Sequence, residues 1–233
     1  MTVEVVFFDV GLTLLRPHPS FAELFAATCR EGGPDVSPEA VEEVQSRLAP
    51  HLMDLAAESG VDKPTLSAEA SRRFWTYLYR RFLDELGLDH ALVDRLYAVF
   101  SSSASYKLFD DVLPTVTALE DAGYRLGLIS NFEHWLEEML IELEIGHRFD
   151  PVVISALEGI EKPDPRIYEL ALARAGVAPP GAVHVGDTPS ADVEPAAQVG
   201  ITPVLLDRYD RYPNADGHRI ATLQELPALL AKM

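Results

Sequence analysis

The side chains with chemistry to offer stand where apolar runs stop. Asp9 closes the run Val3–Phe8, with Thr13 four residues further on. Ser130 and Asn131 close a second run, Lys162 sits in the proline-stiffened stretch Glu161–Pro165, and Asp187 and Asp192 follow a third. Carboxylates gathered at neighbouring strand ends repel one another unless a cation lies between them, and an all-oxygen donor set suits a hard ion such as Mg2+. Asp9 and Asp187 are the metal ligands this reading selects, with the backbone carbonyl of Gly11 and waters to complete the shell. Lys162 supplies a compact positive charge for a phosphate oxygen, and the Ser130 hydroxyl can donate to another. A carboxylate beside so neutralised an electrophile can act as nucleophile, forming an acyl-phosphate that water then hydrolyses. Each of these residues also has an ordinary explanation as a turn former or helix cap. Their joint placement on one rim is what favours the chemical reading.

For the groups to meet, the apolar runs must be strands of one sheet. The Val- and Phe-rich run before Asp9 is short and bounded by Gly11, the pattern of a strand buried on both faces in a parallel sheet. In such sheets ligands collect beyond the carboxyl ends of the strands, where Asp9 falls. From Arg16 to Tyr106 the pattern becomes helical. Ser20 and Glu23 start a helix that Gly32 and Gly33 stop, and Ser37 and Pro38 open a second that runs to about Ser59. A third spans about Ala68 to Leu86, with Phe74, Leu78, Phe82 and Leu86 on one stripe, and a fourth follows Asp89. Successive helices with no strand between them cannot belong to an alternating βα layer. The expected fold is therefore α/β, a parallel-sheet Rossmann-like core of residues 1–15 and 107–233 with a helical cap of residues 16–106 inserted. The aromatic cluster of Phe74, Trp75, Tyr77, Tyr79 and Phe82 reads as the core of that insert.

Beyond Lys107 the alternation resumes. Pro114 starts a helix that Gly123 ends, YRLGLISN is a buried strand, and a helix covers about Trp135 to Leu143. PVVIS is a short strand, Asp164 caps a helix that ends at Gly176, and AVHV and ITPVLL are further strands before a closing helix at Pro227. Right-handed crossovers would join them.

Composition sets the outer limits. A chain of 233 residues, 48% hydrophobic, can bury a large core and an insert. The formal charge of -18 argues against a nucleic-acid partner, because phosphate backbones are bound mainly by Lys and Arg. A small anionic substrate is still allowed, since a metal or local cation can reverse the field inside one pocket. No apolar stretch approaches the roughly 18 residues of a membrane span, and no signal-like leader is seen, so a cytoplasmic protein without a membrane partner is expected. Cys29 is the only cysteine, which rules out an internal disulfide or a thiolate metal cluster and suits a buried apolar helix position.

Four segments, in order, resemble the signatures of the haloacid dehalogenase (HAD) superfamily of hydrolases. FFDVGLTL is similar to its first motif, which implies that Asp9 is the nucleophile and Thr13 the motif threonine; LISN is similar to the second, which implies that Ser130 binds phosphate. EKPDP resembles the third, with Lys162, and VGDTPSAD the fourth, with Asp187 as metal ligand and Asp192 supporting it. The resemblance implies catalytic roles for Asp9, Thr13, Ser130 and Lys162, substrate binding by Ser130, Asn131 and Lys162, and a small phosphorylated substrate.

One departure bears on activity. Phosphatases of this superfamily usually carry a second Asp that protonates the leaving oxygen, and this chain has Gly11 there, followed by Leu12 in place of a small residue. Proton-transfer help is worth about 10²- to 10⁴-fold. Three readings follow: an Mg2+-dependent phosphatase that uses a good leaving group or borrows an acid such as Glu133, His134 or His18; a metal-independent 2-haloacid dehalogenase, which needs no such acid and for which Tyr168 would also suit; and a phosphate- or metabolite-binding module with little turnover.

Overall fold

The β-branched and aromatic run after Glu4 becomes β1 (Val5–Phe8), with every side chain buried. In the computed structural model, which describes residues 2–233, the chain leaves the core through β2 (Leu15–Pro17). Five helices follow, α1 (Phe21–Glu31), α2 (Pro38–Leu48), α3 (Leu52–Glu58), α4 (Ala68–Glu85) and α5 (Val93–Phe100), and the chain returns through β3 (Tyr106–Leu108), which pairs with β2. The remaining elements alternate: α6 (Val112–Asp121), β4 (Arg125–Ser130), α7 (Leu136–Glu142), β5 (Val152–Ile154), α8 (Ser155–Glu158), α9 (Pro165–Ala175), β6 (Ala182–Gly186), α10 (Glu194–Gln198), β7 (Thr202–Leu206), β8 (His218–Ile220) and α11 (Leu226–Leu230). The contacts separate the chain into two units, one made of the residues up to Leu15 with Leu108–Met233, the other Arg16–Lys107.

The core sheet has the order β5-β4-β1-β6-β7-β8, and all neighbours are parallel. After β1 the chain builds outward on one side through β4 and β5, then crosses to the other side for β6 and onward. β1 therefore lies at the switch point, where a crevice opens beyond the strand ends. Register completes the placement, because Phe8 stands level with Leu128 of β4 and Val185 of β6. The residues that follow on each strand, Asp9, Ser130 and Asp187, come out on the same rim. Helices cover both faces: Val5 and Phe7 pack with Ile167, Ala171 and Leu172 of α9 and Ala196 of α10, while Val6 and Phe8 point to the opposite face by the period-two rule.

The inserted unit holds together around its own aromatic core. The Phe21 ring lies 5.8 Å from Phe25, 5.2 Å from Phe82 and 4.8 Å from Phe100, and Phe74, Leu78 and Tyr79 are buried in the same cluster. Cys29 belongs to that core, and burial pushes its thiol up to about 11, so it is a packing residue. The helix expected from Ser37 to about Ser59 is interrupted: α2 ends at Leu48, a tight turn covers Ala49–His51, and α3 follows. Pro50 has no N–H to continue the helical ladder, which accounts for the break. Among the described residues no helix is long and apolar enough to cross a membrane.

Gly127 shows how closely the central strands and their neighbours are fitted. A methyl group there would come within 2.7 Å of the Phe7 ring and 2.9 Å of the Pro151 carbonyl oxygen. Overpacking of this kind costs about 1–3 kcal/mol. Gly127→Ala is expected to lower the melting temperature by roughly 2–10 °C, measured by calorimetry, with little change in secondary structure.

Candidate active site

Lys162 is the centre of the site. Its ammonium donates to Asp9 Oδ1 at 2.7 Å and to Asp192 Oδ1 at 2.6 Å, and its side chain is only 3% exposed. The lysine is positioned from its backbone, since Asn131 Oδ1 accepts from the Lys162 N–H at 2.7 Å and Asn131 Nδ2 donates to the Lys162 carbonyl at 2.8 Å. One amide side chain at the end of β4 thus pins the loop that carries the cation. Burial pulls the ammonium toward its neutral form, but Asp192 and Asp9 outweigh burial and hold the lysine above its ordinary range.

Asp192 sits beneath the rim. A wide turn over Pro189–Val193 folds its side chain back across Gly186, where an added Cβ would lie 2.2 Å from Asp192 Cγ. Only glycine leaves room for that approach. Its Oδ1 also takes a hydrogen bond from His184 Nε2 at 3.0 Å, and its Oδ2 one from the Thr188 N–H at 3.1 Å. Burial alone would raise its carboxyl, yet Lys162 and His184 hold it well below the usual carboxylate range. With its oxygens committed in this way, Asp192 anchors the lysine.

Asp9 and Asp187 complete an acidic cluster. One carboxylate oxygen from each of Asp9, Asp187 and Asp192 lies within 4.8 Å of the others. Three carboxylates against one ammonium leave a formal charge of -2 when all are ionised, in a pocket nearly closed to water. Burial, then the charges of Asp9 and Asp192, raise Asp187 to about 7. Burial also raises Asp9, only partly opposed by Lys162. An all-oxygen cluster with two uncompensated charges fits a hard divalent cation. Asp187 has the more open position, facing with Leu12 a small cleft bordered by residues 206–209, 211 and 212.

The expected site residues divide into groups. Asp9, Lys162, Asp187 and Asp192 come together as described. Thr13 and Ser130 are fully buried, and among the described residues their hydroxyl oxygens have no hydrogen-bond partner. Gly11 bridges to Leu15 in the turn after β1, so its backbone belongs to the same loop as the nucleophile. Asn131, expected to bind substrate, lies beside the site with its amide bonded on both sides to the backbone of Lys162. Tyr168, a residue the dehalogenase reading would use, is completely buried and donates its hydroxyl to the Ala191 carbonyl. Of the acids offered in place of the missing one, Glu133 accepts from Trp135 Nε1 at 2.6 Å, His134 is exposed, and His18 lies in the other unit.

Three further residues at or behind the site carry weak or no sequence signal. His184 lies two residues before Gly186 on one strand face, a spacing that could have flagged it; Thr188 adjoins Asp187 and donates to its Oδ1 at 3.1 Å. Arg208 donates to the Thr13 carbonyl at 2.9 Å, and no local pattern joins residues so far apart in the chain. Leu12 was also not read as strained, yet its φ of 59° is a left-handed conformation that costs a non-glycine residue about 1–3 kcal/mol.

The fold and this acidic rim are those of a hydrolase family. The family model for haloacid dehalogenase-like hydrolases matches residues 3–200, and the chain belongs to that family. It is 31% identical to haloacid dehalogenase-like hydrolase domain-containing protein 3 of Danio rerio, over 98% of this chain and 96% of that protein. It is 40% identical to the glyceraldehyde 3-phosphate phosphatase of Methanopyrus kandleri, over 45% of this chain and 46% of that one. Among solved structures, the 2-haloacid dehalogenase from Pseudomonas syringae pv. Tomato DC3000 is 29% identical, with a TM-score of 0.64 over 99% of both chains.

The raised Asp187 gives the metal-free protein a defined pH response. Because the folded state keeps a proton on Asp187 that the unfolded chain has released, stability falls as pH rises from the ordinary 3.8 to about 7. Thermal unfolding in EDTA should show the melting temperature dropping through that window, and Asp187→Asn should flatten the drop. A slope unchanged by the substitution would contradict the assignment.

Proposed function

We propose that this protein is an Mg2+-dependent phosphatase acting on a small phosphomonoester through an aspartyl-phosphate. The observation that carries the reading is the meeting of Asp9 and Asp192 on the Lys162 ammonium with Asp187 beside them, a carboxylate cluster holding more acid than the single ammonium balances. Asp9, Asp187 and the Gly11 carbonyl are the groups that would hold the ion, with Asp192 behind them. When bound, Mg2+ supplies charge neutralisation at the carboxylates and at the phosphoryl oxygens.

The protein's own groups then have separable tasks. Lys162 holds Asp9 Oδ1 and keeps the carboxylate oriented, which leaves Oδ2 to attack phosphorus. As that bond forms, the ester P–O bond breaks, and the leaving oxygen takes its electron pair and a proton from solvent. Water then attacks the aspartyl-phosphate, releasing inorganic phosphate and restoring the Asp9 carboxylate. The unpaired Ser130 and Thr13 hydroxyls support this assignment. A buried hydroxyl without a partner costs about 1–3 kcal/mol, and an oxyanion would recover that cost. Without a side-chain acid at position 11, substrates whose leaving group is already stable are favoured.

Purified protein should release phosphate from an aryl phosphate only when Mg2+ is present, and Asp9→Asn should reduce the rate to background. Turnover that persists in EDTA would refute the assignment. Gly11→Asp should raise kcat by about 10- to 10²-fold on alkyl phosphates, since an added Cβ at Gly11 meets no atom within 4 Å. A second reading, 2-haloacid dehalogenation, is favoured by the glycine at position 11, because displacing halide requires no proton donor. It predicts halide release from a short 2-haloacid in EDTA, and silence there refutes it.

A further inference from the structure

The turn that carries the nucleophile lacks the residue its backbone calls for. From Asp9 to Leu15 the chain folds back on itself, with the N–H groups of Leu14 and Leu15 both donating to the Val10 carbonyl at 2.9 Å and Leu12 N–H donating to Leu15 at 2.8 Å. At the tip, Leu12 is held at a φ of 59°, where a side chain crowds its own backbone. Such a conformation persists only when the surroundings impose it.

Besides these backbone bonds, the turn receives a side-chain contact from the loop after β7. Arg208 Nη2 donates to the Thr13 carbonyl at 2.9 Å, and the guanidinium also forks onto Asp111, with Nη1 to Oδ2 at 2.7 Å and Nη2 to Oδ1 at 2.9 Å. Its carbon lies 4.0 Å from the centre of the Phe109 ring. Asp111 is fixed in turn, since its Oδ2 accepts from Thr222 Oγ1 at 2.7 Å and from the Leu223 N–H at 2.9 Å. Arg208 and Asp111 are about nine-tenths buried. A planar, multiply anchored guanidinium is therefore aimed at one carbonyl of the turn that bears Asp9 and Gly11.

We propose that Arg208 is a positioning residue for the nucleophile turn, substituting an external clamp for the small residue missing at position 12. It acts through the Thr13 carbonyl, holding Leu12 in the left-handed state and with it the Gly11 carbonyl and the Thr13 hydroxyl. The kinetic part of the claim rests on the phosphatase reading; the structural part does not. Lysine cannot replace this arginine, because a single ammonium on a flexible stem cannot fork onto Asp111 and reach Thr13 in a fixed plane.

The test compares wild type, Arg208→Lys, and Arg208→Lys combined with Leu12→Gly, using Mg2+-dependent aryl phosphate hydrolysis, thermal unfolding and amide hydrogen exchange. Arg208→Lys should accelerate exchange at Leu12, Leu14 and Leu15 by at least about 10-fold while Val5–Phe8 stay protected. It should lower kcat by about 10- to 10²-fold with KM nearly unchanged, the signature of misplacement. Adding Leu12→Gly, which removes the need for the clamp, should restore much of kcat. Unchanged exchange in the turn, or a kcat that Leu12→Gly does not rescue, overturns the proposal. If the wild type hydrolyses nothing, the phosphatase reading fails, and turn exchange alone decides the clamp. Where Arg208→Lys does not fold, Phe109→Leu, which removes only the ring beneath the guanidinium, is read by the same exchange.

Discussion

One buried ammonium shared by two carboxylates sets the terms for the core unit. Lys162 cannot be taken out of water unless Asp9 and Asp192 meet it, and neither acid tolerates its position without the lysine. Removing one partner from a buried pair strands a charge, at about 3–5 kcal/mol. The arrangement has to be built whole, which is why contacts remote from any substrate are so closely specified around it. Asn131 fixes the lysine's backbone, the glycine at 186 lets Asp192 lie across the strand end, and His184 and Thr188 take up the remaining capacity of that carboxylate.

The charge balance is deliberately incomplete. A fully neutral cluster would be a structural ion pair with nothing further to bind, whereas this one carries an excess negative charge and an Asp187 raised to about 7. Perturbation by burial and like charges together, on a rim open to a cleft, is the pattern expected of a working site. The family relationship is established by the match over residues 3–200, and the cluster is the physical feature on which the proposed chemistry rests.

The loop after β1 shows a different economy. Glycine stands where a proton donor would help and leucine where glycine would relax the backbone, so both local preferences are broken within two residues. Breaches of this kind concentrate at functional positions and need support from elsewhere in the fold. Here the nearest such support is the Arg208–Asp111 network, which reaches the turn from the far end of the chain. The inserted helices follow ordinary rules: their stripes of Phe and Leu meet in one apolar cluster, as periodicity alone indicates.

Local order along the chain was sufficient for much of the molecule. Strands that stop just before Asp9 and Asp187 and at Ser130, caps such as Ser20, Ser37 and Asp164, and a helical stretch without strands are all properties of neighbouring residues. They could be read because hydrophobic period and capping act over a few positions. The short strands β2, β3 and β8 escaped notice, since three residues carry too little pattern to stand out from a loop. What only the tertiary structure decided was which polar groups touch. Asn131 bonds the Lys162 backbone, Tyr168 lies in the core, and Arg208 reaches Thr13, because hydrogen-bond partners in a buried site are chosen by distance and desolvation across the fold, and linear sequence records neither.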